Sequence, residues 1–483
     1  MAERLQHVIG GRPTPAQATE WDVVYNPATA EVIGEVPLDD EGAVERAVTA
    51  AQAAFASWSQ TPILERARVM FRYRELLCTH REELAALVTR EHGKILSDAF
   101  GEVGRGIEVV ELAAGAPSLL KGEVLQEVAH GVDAMMLRVP LGVVAGITPF
   151  NFPAMIPMWM IPPAIVSGNT FVLKPSERTP LTSLRLLELL YAAGLPPGVV
   201  NLVHGGRVVV DALLQHRGIR AISFVGSQPV AEHVYRTAAA SGKRVQALGG
   251  AKNFHVVMPD ADLARTVEAL VASAYGSAGE RCLAGSVVVA VGDIADRLVE
   301  AMRSKAELLR VGSGTMPETE MGPLIRPAHR QRVANYIDRG IGEGAALVVD
   351  GRLGRYPSQG FFLGPTLFDH VSPEMAIARE EIFGPVLSIM RQPDLAAAVA
   401  VANQSDFGNT ATIYTNSGAA ARYFRDHIQA GMVGVNIGVP APVAWFPFSG
   451  WKHSFYGDLH ATGTDAFMFY TERRVTTTRW WSE

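Results

Sequence analysis

Residues 141–173, LGVVAGITPFNFPAMIPMWMIPPAIVSGNTFVL, carry no charged side chain, and this run constrains the fold more than any other stretch. It is long enough to cross a bilayer. Its prolines, Pro149, Pro153, Pro157, Pro162 and Pro163, argue against that, because each removes a backbone donor or breaks a spanning helix. The run is therefore predicted to be a buried, irregular segment of a globular core, close to a ligand.

On both sides of the prolines the pattern is that of an α/β protein. From Gly142 onward, short β-branched runs (GVVAGI, TFVLKP, VVNLVHG, AISFVGS, RVQAL) alternate with helical segments, which predicts a doubly wound parallel sheet. The helix over 181–193 is punctuated by Thr179-Pro180 before it and by Gly194 and Pro196-Pro197 after it. Upstream, Val44, Ala47, Val48, Ala51, Phe55 and Trp58 recur at helical spacing behind Asp39 and Asp40, and helical pattern continues to about Glu91. A chain of 483 residues exceeds what one core usually organises, so two or three packed units are expected.

Composition narrows the function. The net charge is −6 with 19% charged residues and no basic block, which argues against nucleic acid or an anionic membrane as partner and favours small ligands. Two cysteines make no disulfide framework and the first residues have no apolar signal core, so a reducing cytoplasm is expected. Cys78 falls in a helical segment without histidine or a glycine-rich loop about it, and a buried structural position is predicted. Cys282 lies among small residues in SAGERCLAGS, next to Arg281, a cation of the kind that favours thiolate. After SFVGS a helix is expected to begin near Pro229, and a glycine turn leading from a strand into a helix N-terminus suits a pyrophosphate. GSQPVA lacks the full GxGxxG spacing, so a plain strand-to-helix turn is equally compatible. Histidines and cysteines show no zinc spacing, and no metal is expected.

Six motifs in order, TPFNFP (148–153), LKPSERTP (173–180), SFVGS (223–227), GERC (279–282), EEIFGPV (380–386) and PFSGWK (447–452), make the chain resemble the aldehyde dehydrogenase superfamily over essentially its whole length. Through GEVGRG, ALGGAKN, GSAGERC, GVPAPVAWFPFSGWKHSF and GDLHATG it resembles most the CoA-acylating methylmalonate-semialdehyde dehydrogenases. The resemblance implies an NAD-binding domain over 1–118 and 141–250, a catalytic domain over 251–445, and a small β bridging domain from 119–140 and 446–483. That small domain would pair with a partner subunit in a homodimer or homotetramer.

The resemblance also implies roles. Cys282 is the nucleophile, and the Asn151 side-chain amide with the Cys282 backbone N–H stabilises the oxyanion. Lys174, Ser176 and Glu177 approach the adenosine ribose, where a carboxylate disfavours a 2′-phosphate and so favours NAD over NADP. Phe150, Gly226 and Ser227, with Glu381 and Phe383, complete the cofactor site, the last two at the nicotinamide ribose and ring. Arg281 and Arg105 are candidates for a substrate carboxylate, with thiolate stabilisation as the alternative for Arg281 and an ion pair with Glu102 or Glu108 for Arg105. Hydrolytic members carry a glutamate immediately before Leu-Gly-Gly as base for the deacylating water. Here Ala247 stands there, and no glutamate occurs from Lys243 to Asn253, so the thioester is expected to leave on CoA. The expected reaction is NAD- and CoA-dependent oxidation of malonate or methylmalonate semialdehyde with loss of CO2. A hydrolytic enzyme releasing a free acid and a catalytically idle homologue are the competing readings.

Overall fold

The computed structural model describes residues 3–481. The proline-rich run resolves into a strand–helix–strand unit, and the predicted irregular segment is corrected to regular structure. Strand Val143–Ile147 leads through the loop bearing Pro149 and Pro153 into the wholly buried helix Met155–Val166 and then to strand Thr170–Lys174, parallel to the first. Side chains from elsewhere satisfy the carbonyls at the end of this helix. Trp58 Nε1 donates to Ile165 O at 2.9 Å, Arg66 Nε to Val166 O at 2.8 Å, and the Asn169 amide to Ala164 O at 3.0 Å. No helix among the described residues is long and apolar enough to cross a membrane.

That unit sits at the centre of an eight-stranded sheet. Five strands run parallel, in the spatial order Val200–Leu202, Thr170–Lys174, Val143–Ile147, Ile219–Val225 and Arg244–Leu248. Antiparallel strands close both sides, His7–Ile9 and Arg12–Thr14 on one and Phe455–Tyr456 on the other. Strand order reverses at Val143–Ile147, so a crevice opens beyond the carboxyl ends of Val143–Ile147 and Ile219–Val225. The expected helices are present. Helix Glu41–Trp58 is capped by Asp40, which accepts from Gly42 N at 2.8 Å, and helices Leu181–Ala192 and Gln228–Ala240 follow their strands.

A second sheet holds six parallel strands in the order Thr366–Asp369, Val386–Gln392, Gly285–Val291, Asn253–Val257, Thr410–Tyr414 and Met432–Val435, with antiparallel Ala346–Val349 at one edge. A third sheet is wholly antiparallel, Thr471–Arg479 beside Val132–Pro140 beside Glu123–Ala129. It exposes Val124, Leu125, Leu137 and Val475. Of residues 446–483 only Thr471–Arg479 enters this sheet. Phe455–Tyr456 joins the first, and helix Gly463–Phe469 packs on helix Met155–Val166.

Cys78 is exposed, which corrects the expected burial. In helix Ile63–Thr79 the inward positions are Val69, Met70, Tyr73 and Leu77, and the residue after Leu77 turns about 100° away from that face.

The GERC loop is fastened to the second sheet by backbone contact. Gly279 has φ +74°, and a Cβ there would lie 2.2 Å from Gly384 O, inside EEIFGPV, so two motifs far apart in sequence meet where only glycine fits. Gly279→Ala should lower the thermal midpoint and sharply reduce NADH formation, since the left-handed backbone and the overlap together cost about 2–5 kcal/mol. Unchanged melting and turnover would refute this reading of the contact.

Candidate active site

Cys282 stands just before strand Gly285–Val291 and opens on a cavity of about 190 Å³ between the two sheets. Its backbone is held by two amides, with Asn253 Nδ2 and Asn409 Nδ2 donating to Cys282 O at 3.0 and 2.8 Å. Asn253 donates also to Ala284 O at 2.8 Å. Asn151, from the loop after the central strand of the first sheet, is buried, and its Nδ2 donates to Glu280 O at 3.0 Å. The structure thus places the Asn151 amide on the carbonyl of Glu280, two residues before Cys282 in the chain.

A buried ion pair fixes the Asn151 loop. Lys94 Nζ donates to Glu102 Oε2 at 2.7 Å and to Asn151 O at 2.6 Å, with the two side chains 1% and 0% exposed. The other Glu102 oxygen accepts from Ala154 N at 2.8 Å and Met155 N at 3.2 Å, which caps helix Met155–Val166, a helix with no polar N-cap of its own. Asp98, Glu102 and Arg105 lie at i, i+4 and i+7 of helix Leu96–Ala114, so one face of that helix delivers all three to the cavity. Gly106, in GEVGRG, lets this helix approach the next, because a Cβ there would collide with Met158 and reach Met155 Cα at 3.4 Å.

Arg105 and Arg281 both line the cavity with Cys282. Arg105 Nη1 lies 3.0 Å from Glu108 Oε2, so the ion-pair alternative is formed, and the side chain, 41% exposed, still lines the cavity. Arg281 Nη2 lies 2.6 Å from Asp98 Oδ2 and its Nε donates to Ser277 Oγ at 3.2 Å. Arg281 acts on the thiol in the expected direction but is outweighed. Burial, seconded by the charge of Glu381, pushes Cys282 up to about 12, and Arg281, turned to Asp98, opposes this least among the causes.

The expected cofactor residues gather along the crevice. Lys174 ends its strand, and its Nζ pairs with Glu177 Oε2 at 2.9 Å. Burial alone would raise Glu177, but Lys174 holds it at about 2, so it stays ionised. Ser176 Oγ accepts from Arg178 N at 3.2 Å. Ser227 is the N-cap residue of helix Gln228–Ala240 without a side-chain bond to it, Gly226 precedes it, and Ser227 lines a second cleft with Glu381. Phe150 and Phe383 meet edge to face at 6.0 Å, and Phe383 has φ +59°, a strained backbone of the kind that concentrates at functional sites. Glu381 Oε1 accepts from Ala251 N at 2.8 Å, and burial raises its carboxyl to about 7. No cluster of three or more metal-binding side chains occurs among the described residues.

No carboxylate in the cavity is free to activate water. Asp98 pairs with Arg281, Glu102 with Lys94, and Glu108 with Arg105. Glu280 does not line the cavity; its Oε1 accepts from Ile325 N at 3.2 Å, its Oε2 makes no hydrogen bond, and burial raises it well above the usual carboxylate range. Ala247 is fully buried in the cluster with Val44, Val48 and Val234, while Cys282 packs against the other core of the first sheet. Sequence reasoning missed Lys94, Asp98, Glu102, Asn253 and Asn409. The i, i+4, i+7 spacing ahead of Arg105 was the available signal for Asp98 and Glu102, whereas the asparagines carry no local signal.

The chain belongs to the aldehyde dehydrogenase family, which it matches over residues 14–476. It is 56% identical over 479 residues, covering 99% of both chains, to malonate-semialdehyde dehydrogenase 1 of Geobacillus thermodenitrificans (strain NG80-2). It is 52% identical to the crystal structure of methylmalonate-semialdehyde dehydrogenase from Oceanimonas doudoroffii, with a TM-score of 0.98 over 100% of this chain and 99% of that one. A Sinorhizobium meliloti 1021 structure assigned as a methylmalonate-semialdehyde dehydrogenase and complexed with NAD is 46% identical, with TM-score 0.98 over 100% of this chain and 99% of that one.

Removing the Glu381 charge should ease ionisation of the thiol, so Glu381→Gln is expected to be alkylated by iodoacetamide several-fold faster than wild type at pH 8. In both proteins the rate should climb about tenfold per pH unit between pH 7 and 9, as the thiolate fraction does below its pKa. Equal rates for the two proteins would remove Glu381 from the electrostatics of Cys282.

Proposed function

We propose that the protein oxidises malonate or methylmalonate semialdehyde with NAD and CoA, giving acetyl-CoA or propionyl-CoA, NADH and CO2. The observation that carries this reading is a single cavity containing the Cys282 thiol and two guanidinium groups, Arg105 and Arg281, with every carboxylate already engaged. A short aldehyde with a terminal carboxylate fits that arrangement, the carboxylate taking charge-assisted bonds from arginine while the carbonyl reaches sulfur.

Cys282 adds to the aldehyde, and the oxygen that becomes an anion is stabilised by the Asn151 amide and the Cys282 N–H. Asn151 enters this role pre-positioned, because Lys94 grips its carbonyl and Glu280 O accepts one amide hydrogen, leaving the second free. NAD, when bound, supplies the hydride acceptor. Its residues are Lys174, Ser176 and Glu177 for the adenosine ribose, Gly226 and Ser227 near the pyrophosphate, and Phe150, Glu381 and Phe383 toward the nicotinamide. The donor set fits: an ionised carboxylate paired with lysine accepts ribose hydroxyls and repels a 2′-phosphate.

The thioester on Cys282 loses CO2 when its carbonyl accepts the electron pair of the breaking carbon–carbon bond, and the acyl group then passes to the CoA thiol. A thiol attacks a thioester with far less help than water needs, which suits a site without a free base. The antiparallel sheet with exposed Val124, Leu125 and Val475 would pair subunits in a dimer or tetramer. A cytoplasmic location belongs to the same reading.

Mass spectrometry of the products decides between the readings. With CoA, acetyl-CoA should form from malonate semialdehyde, and without CoA turnover should stop near one equivalent of NADH per site. Steady production of a free acid without CoA would establish the hydrolytic enzyme instead, and no NADH at all the idle homologue. Arg105→Leu should raise KM for malonate semialdehyde roughly tenfold, the scale of a charge-assisted hydrogen bond, and barely alter KM for propanal. Equal effects on both aldehydes would move the carboxylate site away from Arg105.

A further inference from the structure

Each guanidinium facing the thiol arrives with its own carboxylate. Asp98 Oδ2 lies 2.6 Å from Arg281 Nη2, and Glu108 reaches Arg105 Nη1 through both oxygens, at 3.0 and 3.3 Å. Asp98 also accepts from Ser277 Oγ at 3.1 Å, and that hydroxyl in turn accepts from Arg281 Nε at 3.2 Å, which closes a triangle. The triangle holds a backbone that would otherwise relax, since Ser277 and Ala278 both occupy the left-handed region, with φ of 50° and 53°, immediately before the nucleophile loop. With Glu102 matched to Lys94, the cavity contains pairs of opposite charge and no uncompensated cation.

An isolated pair of arginines would select a carboxylated aldehyde more strongly, so the neutralising acids have a chemical consequence. In decarboxylation of the thioester the bond between the carboxylate carbon and the α-carbon breaks. Its electron pair moves into the thioester carbonyl to give an enolate, CO2 leaves, and the α-carbon then takes a proton from water. Negative charge thus departs from the carboxylate in the transition state. A cation held tightly against that carboxylate stabilises the ground state more than the transition state and slows the step. Guanidinium groups already paired with acids still offer N–H donors, enough to recognise the carboxylate, without a net countercharge to retain it.

We propose that Asp98 and Glu108 are positioning and specificity-determining residues that keep the carboxylate subsite at charge balance, so that the site recognises a carboxylated aldehyde and yet releases its carboxylate as CO2. This rests on the decarboxylating, CoA-acylating reading above. Asp98 additionally sets the direction of Arg281 and secures the strained turn that leads to Cys282.

The test compares wild type, Asp98→Asn and Glu108→Gln with malonate semialdehyde and with propanal, in the presence of NAD and CoA, with thioesters resolved by mass spectrometry. Both variants retain a hydrogen-bond acceptor and delete one negative charge. Each should lower KM for malonate semialdehyde by roughly fivefold, the scale of one partly screened ion pair, while KM for propanal stays near wild type. Each should also divert product from acetyl-CoA to malonyl-CoA, because CoA then intercepts the thioester before CO2 departs. Asp98→Glu, which restores the charge, should return the product ratio toward wild type. If wild type yields no acetyl-CoA from malonate semialdehyde, the underlying function fails. If wild type does so and both neutral variants leave KM and the malonyl-to-acetyl ratio unchanged, charge balance is overturned while the function stands. A parallel loss of activity on both aldehydes in Asp98→Asn, with Glu108→Gln unchanged, would reduce Asp98 to a support for the turn and overturn the proposal.

Discussion

The ion pair between Lys94 and Glu102 is the constraint on which the site depends. It lies in the interior, where separated charges are very costly, and it is tolerable because every strong partner is supplied: lysine to carboxylate, lysine to the Asn151 carbonyl, and carboxylate to two backbone N–H groups. The two paired side chains therefore tie three elements together. Helix Leu96–Ala114, the start of helix Met155–Val166 and the Asn151 loop cannot shift independently without breaking a buried charge–charge or charge–dipole contact. Because Arg105 and Asp98 ride on the same helix, the proposed oxyanion donor and the proposed carboxylate subsite share one frame.

The opposing half of the site is held by hydrogen bonds to backbone. Asn253 and Asn409 secure the Cys282 carbonyl, and Gly279 seats the loop against Gly384. The thiol is thus positioned by groups that do not ionise, while its own ionisation is suppressed by burial and by Glu381. A thiol kept protonated in this way is protected from oxidation and adventitious alkylation, since reactivity follows the thiolate. Glu381 bridges the two functions, being seated on Ala251 N, lining the cofactor cleft and sensed by the thiol.

Much of this was legible in the sequence because it is local. Alternating β-branched runs and punctuated helices identify the parallel sheet. The proline-rich run was legible as buried but not as a helix. Proline argues against a helix interior on local grounds, whereas this helix is wholly buried and has its two ends satisfied from outside by Glu102, Trp58, Arg66 and Asn169. Cys78 was misplaced because apolar periodicity locates a face only to within about one residue, and its neighbour Leu77 takes the inward position.

By itself, the sequence determined the α/β class, and through its motifs it named Cys282, Asn151 and the cofactor residues as the candidates on which the proposed function rests, since each lies in a short run readable in place. Only the tertiary structure decided how the charges combine. Asp98 and Arg281 are far apart in the chain, as are Lys94 and Asn151, and whether an arginine next to a cysteine stabilises its thiolate depends on which acid reaches that arginine first. Here Asp98, brought across from another helix, takes the guanidinium, while burial and Glu381 hold the thiol high against the small effect of Arg281. Electrostatic energies fall with distance in space rather than along the chain, so the sequence names the charged groups and the fold alone sets their partners.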